Sequence, residues 1–115
     1  MGSVDDTIGE LRESDRAYLQ HVVDVVRAAR TDTEDGWSYG LPALLLEGKP
    51  LVAVAAAAKH LSLYPFSSAV IDAVALSLGG FSLSRGTIRF SAANPLPDAV
   101  VREIVRLRSL EITGE

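Results

Sequence analysis

Cysteine is absent from this chain of 115 residues. A disulfide framework and a site built on a thiolate are both excluded by that absence. No apolar run approaches the roughly 18 to 20 residues that a membrane-spanning helix requires. The N-terminus carries Asp5, Asp6 and Glu10, where a secretory signal has basic and then apolar residues. We therefore expect a single cytoplasmic domain, 1–115, that makes no contact with a membrane.

Positively charged residues are fewer than negatively charged ones. Lysine and arginine number 11 against 15 carboxylates, which gives a net charge of −4 and a pI of about 5.1. Binding to a phosphate backbone needs a net or local positive field, so we do not expect a general nucleic-acid binder. Arg102, Arg106 and Arg108 near the C-terminus are offset by Asp98 and Glu103 at helical spacing. That pattern is typical of a solvated helix face.

Helices are indicated where apolar residues recur three and four positions apart. Ser14 is a plausible N-cap for one of them, Ser67 or Ser68 for another, and Pro97 suits the first turn of the last. The predicted helices are 4–12, 15–30, 68–78 and 97–110.

Strands are predicted in the middle of the chain. Turn residues at 47–50 separate 43–47 from 51–55, and residues 60–64 and 87–91 alternate apolar with polar. The alanines of 55–58 favour a competing helix over 51–63, whereas 31–36 has the polar composition of a loop. The favoured fold class is α+β: a mostly antiparallel sheet of four to five strands, with N-terminal helices, one central helix and a C-terminal helix packed on it.

Four segments together resemble the YdhG-like family of small bacterial domains, most of which have no assigned function. They are 37–43 (WSYGLPA), 59–65 (KHLSLYP), 85–90 (RGTIRF) and 95–97 (PLP). The resemblance covers about 15–110 and implies an α+β fold with helices packed on an antiparallel sheet. One branch of the family is described as a frataxin-like intracellular iron chaperone. This chain departs from the pattern in having Thr31 where a proline is common, and Asp72 as the only charge of helix 68–78.

A polar surface is predicted on one face of the sheet. If Leu61, Leu63, Ile88 and Phe90 face the helices, the alternate residues face away from them. An arginine on that face can pair bidentately with a carboxylate or phosphate, so the surface could bind an anionic small molecule or a protein partner. The alternative is an ordinary solvated sheet face. The candidate ligand-binding residues are Tyr39, Lys59, His60, Ser62, Tyr64, Thr87 and Arg89.

Catalysis has weaker support. His60 and Ser62 can be neighbours, but their strand has no acidic residue to orient the imidazole, and the chain has no Gly-x-Ser-x-Gly turn. No glycine-rich phosphate-binding motif is present either. We therefore expect no enzyme and no catalytic residue, with a small hydrolase centred on His60 as a distant alternative.

A weak metal site is the other chemical hypothesis. Asp6, Glu10 and Glu13 recur at helical spacing, and carboxylate oxygens suit a hard or ferrous cation. Carboxylates in a first helical turn also simply stabilise the helix dipole. We therefore expect no cofactor, with an iron(II) carrier as the alternative function.

Assembly is predicted from helix 68–78, whose aliphatic residues look spread around its circumference. A helix that is apolar all round is usually buried on more than one side, and a homodimer would supply the second cover. The predicted interface residues are Val70, Ile71, Val74 and Leu78. The expected protein is thus a non-enzymatic binding domain that forms a homodimer.

Overall fold

The fold was analysed in a computed structural model. It describes residues 4, 8–9, 11, 13–56, 60–84, 86–91 and 93–114. In these residues no helix is long and apolar enough to cross a membrane.

Three α-helices have both ends within the described ranges. Helix α1 spans Glu13–Ala29, α2 spans Ser68–Val74 and continues as a 3₁₀ turn over Ala75–Leu78, and α3 spans Asp98–Thr113. The Ser67 hydroxyl caps α2 by accepting a hydrogen bond from the Val70 N–H at 3.2 Å. Helix α3 ends at Gly114, whose φ of 75° lets its N–H reach the Leu110 carbonyl.

The strands form one six-stranded sheet in which every neighbouring pair is antiparallel. They are β1 (Glu34–Ser38), β2 (Leu41–Leu46), β3 (Lys49–Ala56), β4 (Leu61–Tyr64), β5 (Ser82–Ser84) and β6 (Thr87–Phe90), in the spatial order β1-β2-β3-β4-β6-β5. The α+β class is confirmed. The expected count of four to five strands is one or two too low, because neither edge strand, β1 or β5, was predicted.

Two tight turns explain the first half of the sheet. Tyr39 and Gly40 have φ of 52° and 76°, and Glu47 and Gly48 have φ of 52° and 78°. Positive φ at both central residues is the mark of a type I′ hairpin turn. The predicted hairpin at 47–50 is confirmed. The Tyr39-Gly40 turn joins β1 to β2. It was not predicted, because Asn or Asp usually precedes the glycine of a type I′ turn and a tyrosine does not mark one.

The helical alternative for 51–63 is wrong. Strand β3 pairs with β2 on one side and with β4 on the other, so its backbone groups have partners along both edges. A strand covered in this way tolerates alanines that favour helix in isolation, because tertiary packing overrides propensity. The bend expected at 56–58 lies largely outside the described residues.

A single hydrophobic core lies between the helices and one face of the sheet. Val22 and Val26 of α1 and Ile104 of α3 are buried in it, together with Leu63 and Ile88 of the sheet. Of the predicted helix 4–12, Val4 and Ile8 are buried in this core and Leu11 packs against it.

Polar contacts fasten the helices to the sheet. Arg108 donates two hydrogen bonds to the Pro50 carbonyl, at 2.9 and 3.1 Å, and Arg27 pairs with Asp35 at 3.0 Å. The sequence pattern had indicated that Arg108 belongs to a solvated helix face, and for this residue the indication is wrong. Its guanidinium anchors α3 to β3.

Tyr18 ties α1 to the segment before α3. Its hydroxyl accepts a hydrogen bond from the Leu96 N–H and donates one to the Leu96 carbonyl, while its ring meets Phe90 edge-on at 5.6 Å. Burial, and to a lesser extent the charge of Asp98, raise the pKa of the phenol, against the lowering effect of the Leu96 hydrogen bond.

We predict that Tyr18→Phe lowers the free energy of unfolding by about 1–3 kcal/mol, because it leaves both polar groups of Leu96 without their partner. The raised pKa adds a pH dependence. The phenol's contribution to stability is fully present below pH 10.0, its ordinary pKa, and is lost as pH rises through the higher folded-state value. Urea unfolding at about pH 7 and about pH 11 measures both effects.

The matched control is Tyr39→Phe, because the Tyr39 side chain is exposed and its hydroxyl makes no hydrogen bond within the described residues. It should change neither quantity. Equal losses in the two variants would contradict the assignment to Tyr18.

Candidate functional site

The register of β4 and β6 decides which side chains leave the core. Leu61 pairs with Phe90 and Leu63 with Ile88, so Ser62 and Arg89, which pair with each other, project from the opposite face. Ala55 continues this row across β3, and Ser82 continues it across β5. We call Ala55, Ser62, Arg89 and Ser82 the polar row.

One end of the polar row lies in an open surface depression of about 370 Å³. His60, at the entrance of β4, and Arg89, in the middle of β6, both line it. We call it the Arg89 cavity. The remaining lining residues are Gly80, Ser82, Phe90, Ser91 and Asn94.

Arg89 is the charged group of this cavity. Its guanidinium donates a long hydrogen bond, 3.4 Å, to the Ser82 hydroxyl. It has no carboxylate partner in the part of the chain that the structure describes, and no Asp or Glu is among the residues that line the cavity. The local field is therefore positive in a protein of net charge −4, which favours an anion.

Asn94 lies across the cavity from the strands, on the loop after β6. A turn holds it: its N–H reaches the Ser91 hydroxyl at 3.0 Å, and its side-chain amide donates to the Gly80 carbonyl at 3.4 Å. The wall is thus built mainly from one stretch of chain, 80–94, which supplies β5, β6 and the loops on either side, and His60 joins it from the start of β4.

The other candidate ligand-binding residues are placed differently. Ser62 belongs to the polar row but is only 4% exposed. Tyr64 and Thr87 lie further along the same face, outside the cavity lining. Tyr39 stacks on Phe66 with ring centroids 6.0 Å apart, beyond the far end of β4. Lys59 lies outside the described residues.

Ser82, Ser91 and Asn94 were missed by the sequence analysis. Ser82 belongs to a three-residue edge strand whose only signal is the alternation Ser82-Leu83-Ser84 before a turn. Ser91 ends the predicted strand 87–91 on the same parity as Arg89, but it was not included among the candidate residues. Asn94 lies in a loop, which has no periodicity that could mark it.

The metal hypothesis concerns residues that are mostly outside the described ranges. Asp6 and Glu10 lie outside them, and Glu13 is exposed at the start of α1. Within the described residues, no three His, Asp or Glu side chains are grouped so that they could hold a metal ion. The acidic stripe stays a prediction.

The reasoning behind the dimer interface is wrong. Val70, Ile71, Val74 and Leu78 are between 1% and 6% exposed within one chain. At about 100° per residue Val70, Ile71 and Val74 fall within one arc of about 100°, and they face the chain's own core together with Leu78 of the 3₁₀ turn. Leu76 points the other way and is 100% exposed.

Comparison with known proteins gives a fold. The chain is similar to YdhG of Bacillus subtilis, a DUF1801 family protein of known crystal structure, with a TM-score of 0.81 and 14% sequence identity. The match covers 92% of this chain and 87% of YdhG. No family model and no curated protein matches the sequence. The resemblance to YdhG-like domains is thereby confirmed at the level of the fold.

Iron binding is tested by calorimetry. If the acidic stripe holds iron(II), the unmodified protein should bind it at micromolar level, and Asp6→Asn combined with Glu10→Gln should abolish the heat of binding, since both lose a carboxylate ligand. The paired substitution Asp24→Asn and Glu47→Gln, at exposed positions, is the charge-matched control. Undetectable binding to the unmodified protein would end the hypothesis.

The dimer is tested by light scattering at micromolar concentration. If a second copy packs on α2 and its 3₁₀ extension, Leu76 is the exposed aliphatic side chain that it would cover. Leu76→Glu should then dissociate the dimer, because a buried carboxylate would lose its hydration. A species of 12.3 kDa from the unmodified protein would contradict the homodimer.

Proposed function

We propose that this protein is a small, non-enzymatic, cytoplasmic binding domain whose Arg89 cavity takes a small anionic molecule that carries a carboxylate or phosphate. The observation that carries the proposal is the convergence of Arg89 and His60 on a cavity without a carboxylate. Arg89 and Ser82 stand on the paired strands β6 and β5, which hold side chains more rigidly than loops do.

Arg89 is one of three described arginines, with Arg16 and Arg102, that form no ion pair within the described residues. Arg27, Arg30, Arg106 and Arg108 each pair with a carboxylate at 2.6 to 3.1 Å. Arg89 has only a serine hydroxyl near it, which leaves most of its donors for a ligand.

The donors around Arg89 suit an oxyanion. A guanidinium offers two parallel N–H groups to a carboxylate or phosphate. The Ser82 hydroxyl and one imidazole nitrogen of His60 add further donors. The volume of about 370 Å³ is at the small end of ligand pockets, which suits a ligand of modest size.

Hydrolysis fits this arrangement less well. A catalytic His60 would need a group that orients its imidazole, and the described lining residues include no carboxylate for that role. Binding without turnover therefore accounts for the cavity with fewer additional groups.

We expect titration with inorganic phosphate or succinate, followed by amide chemical shifts in NMR spectra, to perturb His60, Ser82, Arg89 and Asn94 together. Arg89→Gln should weaken binding about tenfold or more, because a hydrogen bond to a charged group is lost. Arg16→Gln is the control, since Arg16 is an exposed arginine outside the cavity.

Two results would contradict the proposal. One is the absence of shifts at these residues with either anion. The other is an equal loss of affinity in Arg89→Gln and Arg16→Gln, which would reduce the effect to overall charge. Shifts spread along Tyr64 and Thr87 only when a protein is added would favour a protein partner instead.

A further inference from the structure

A second cavity lies between the C-terminal end of α1 and the outer face of α3. Its volume is about 400 Å³, and it shares no lining residue with the Arg89 cavity. We call it the α1–α3 groove. Its lining residues are Ala29, Arg30, Arg102, Val105, Arg106, Ser109, Leu110 and Thr113.

Ser109 gives this groove a polar group that has no partner. The residue is 7% exposed, and its hydroxyl is the buried side-chain polar atom that lacks a hydrogen bond within the described part of the chain. A hydroxyl buried without a partner costs free energy. The oxygen itself is closed off from solvent in this conformation, so a rotation about the Cα–Cβ bond must turn it into the groove before a ligand atom can satisfy it.

Arg102 gives the groove a free positive charge. The sequence offers Asp98 as its partner one turn earlier, but the Asp98 carboxylate instead contacts the His21 ring at 2.8 Å. Arg30 and Arg106 are already paired, with Asp32 and Glu103. Among the described arginines that line the groove, Arg102 is therefore the one without an ion pair.

The groove also has an apolar wall. Ala29, Val105 and Leu110 line it beside the arginines, and Leu110 is one of the few large hydrophobic side chains that the chain leaves exposed. Val105 is only 2% exposed, so the surface that an inorganic ion would leave in water is that of Ala29 and Leu110. A ligand with an apolar body would cover it.

We propose that the α1–α3 groove binds an organic anion with a small apolar body, whose oxyanion contacts Arg102 and the Ser109 hydroxyl once that hydroxyl has rotated into the groove, while its body packs on the exposed Ala29 and Leu110. This site is independent of the Arg89 cavity. The proposal for one site can be contradicted while the proposal for the other stands, because amide shifts report on the two groups of residues separately.

Phenyl phosphate is the probe, with inorganic phosphate and phenol as its two halves. Amide shifts should change at Ala29, Arg102 and Ser109, with phenyl phosphate binding more tightly than either half. Arg102→Gln should weaken binding about tenfold or more. Arg16→Gln should not, because Arg16 lies about 20 Å along α1 from Ala29.

Ser109→Ala gives a result that a purely structural serine would not. Removing an unsatisfied hydroxyl should raise the melting temperature of the free protein, while the affinity for phenyl phosphate falls. If the hydroxyl instead bonds back to a carbonyl of its own helix, the substitution leaves the melting temperature equal or lower and the affinity unchanged. That outcome overturns the proposal, as do shifts confined to the Arg89 cavity.

Discussion

The burial of one face of the sheet against the helices is the constraint from which the rest of the structure follows. Leu61 and Leu63 of β4 and Ile88 and Phe90 of β6 are almost fully buried, and they pair directly across the two strands. Side chains alternate with period two, so a slip of one residue would move all four into water. The core therefore fixes the register, and the register sends Arg89 to the opposite face.

The docking of the helices decides which charges are satisfied. Arg27 and Arg108 join helices to the sheet, and His21 draws Asp98 toward α1. The contact between His21 and Asp98 engages the carboxylate that, at four residues' spacing on α3, would otherwise pair with Arg102. An arginine without an ion pair in each cavity is thus a consequence of how the layers are assembled, and it gives an acidic protein two local positive sites.

Much of the fold could be predicted from the sequence, since periodicity reports on which side of an element is buried. The strands at 43–47, 51–55, 60–64 and 87–91 are present within a residue or two. Edge strands β1 and β5 were not predicted. Strand β1 contains several polar residues and β5 has only three residues, so neither shows enough alternation to detect. The apolar stripe of helix 68–78 could have been recognised from the sequence. The aliphatic residues were instead interpreted as spread around the helix, although only Leu76 lies on the side opposite the other four. Asn94 and the unpartnered Ser109 hydroxyl could not be foreseen, because both depend on contacts between distant segments.

The claim that the sheet face opposite the core holds an oxyanion at Arg89 is tested most directly by anomalous diffraction from crystals grown with selenate. The selenium scatters anomalously, so its position needs no interpretation of weak density. We predict a selenium peak within hydrogen-bonding distance of the Arg89 guanidinium, on the side that faces His60 and Asn94. Selenium peaks confined to other surfaces, or an Arg89 side chain that lies among Leu61 and Leu63, would contradict this account.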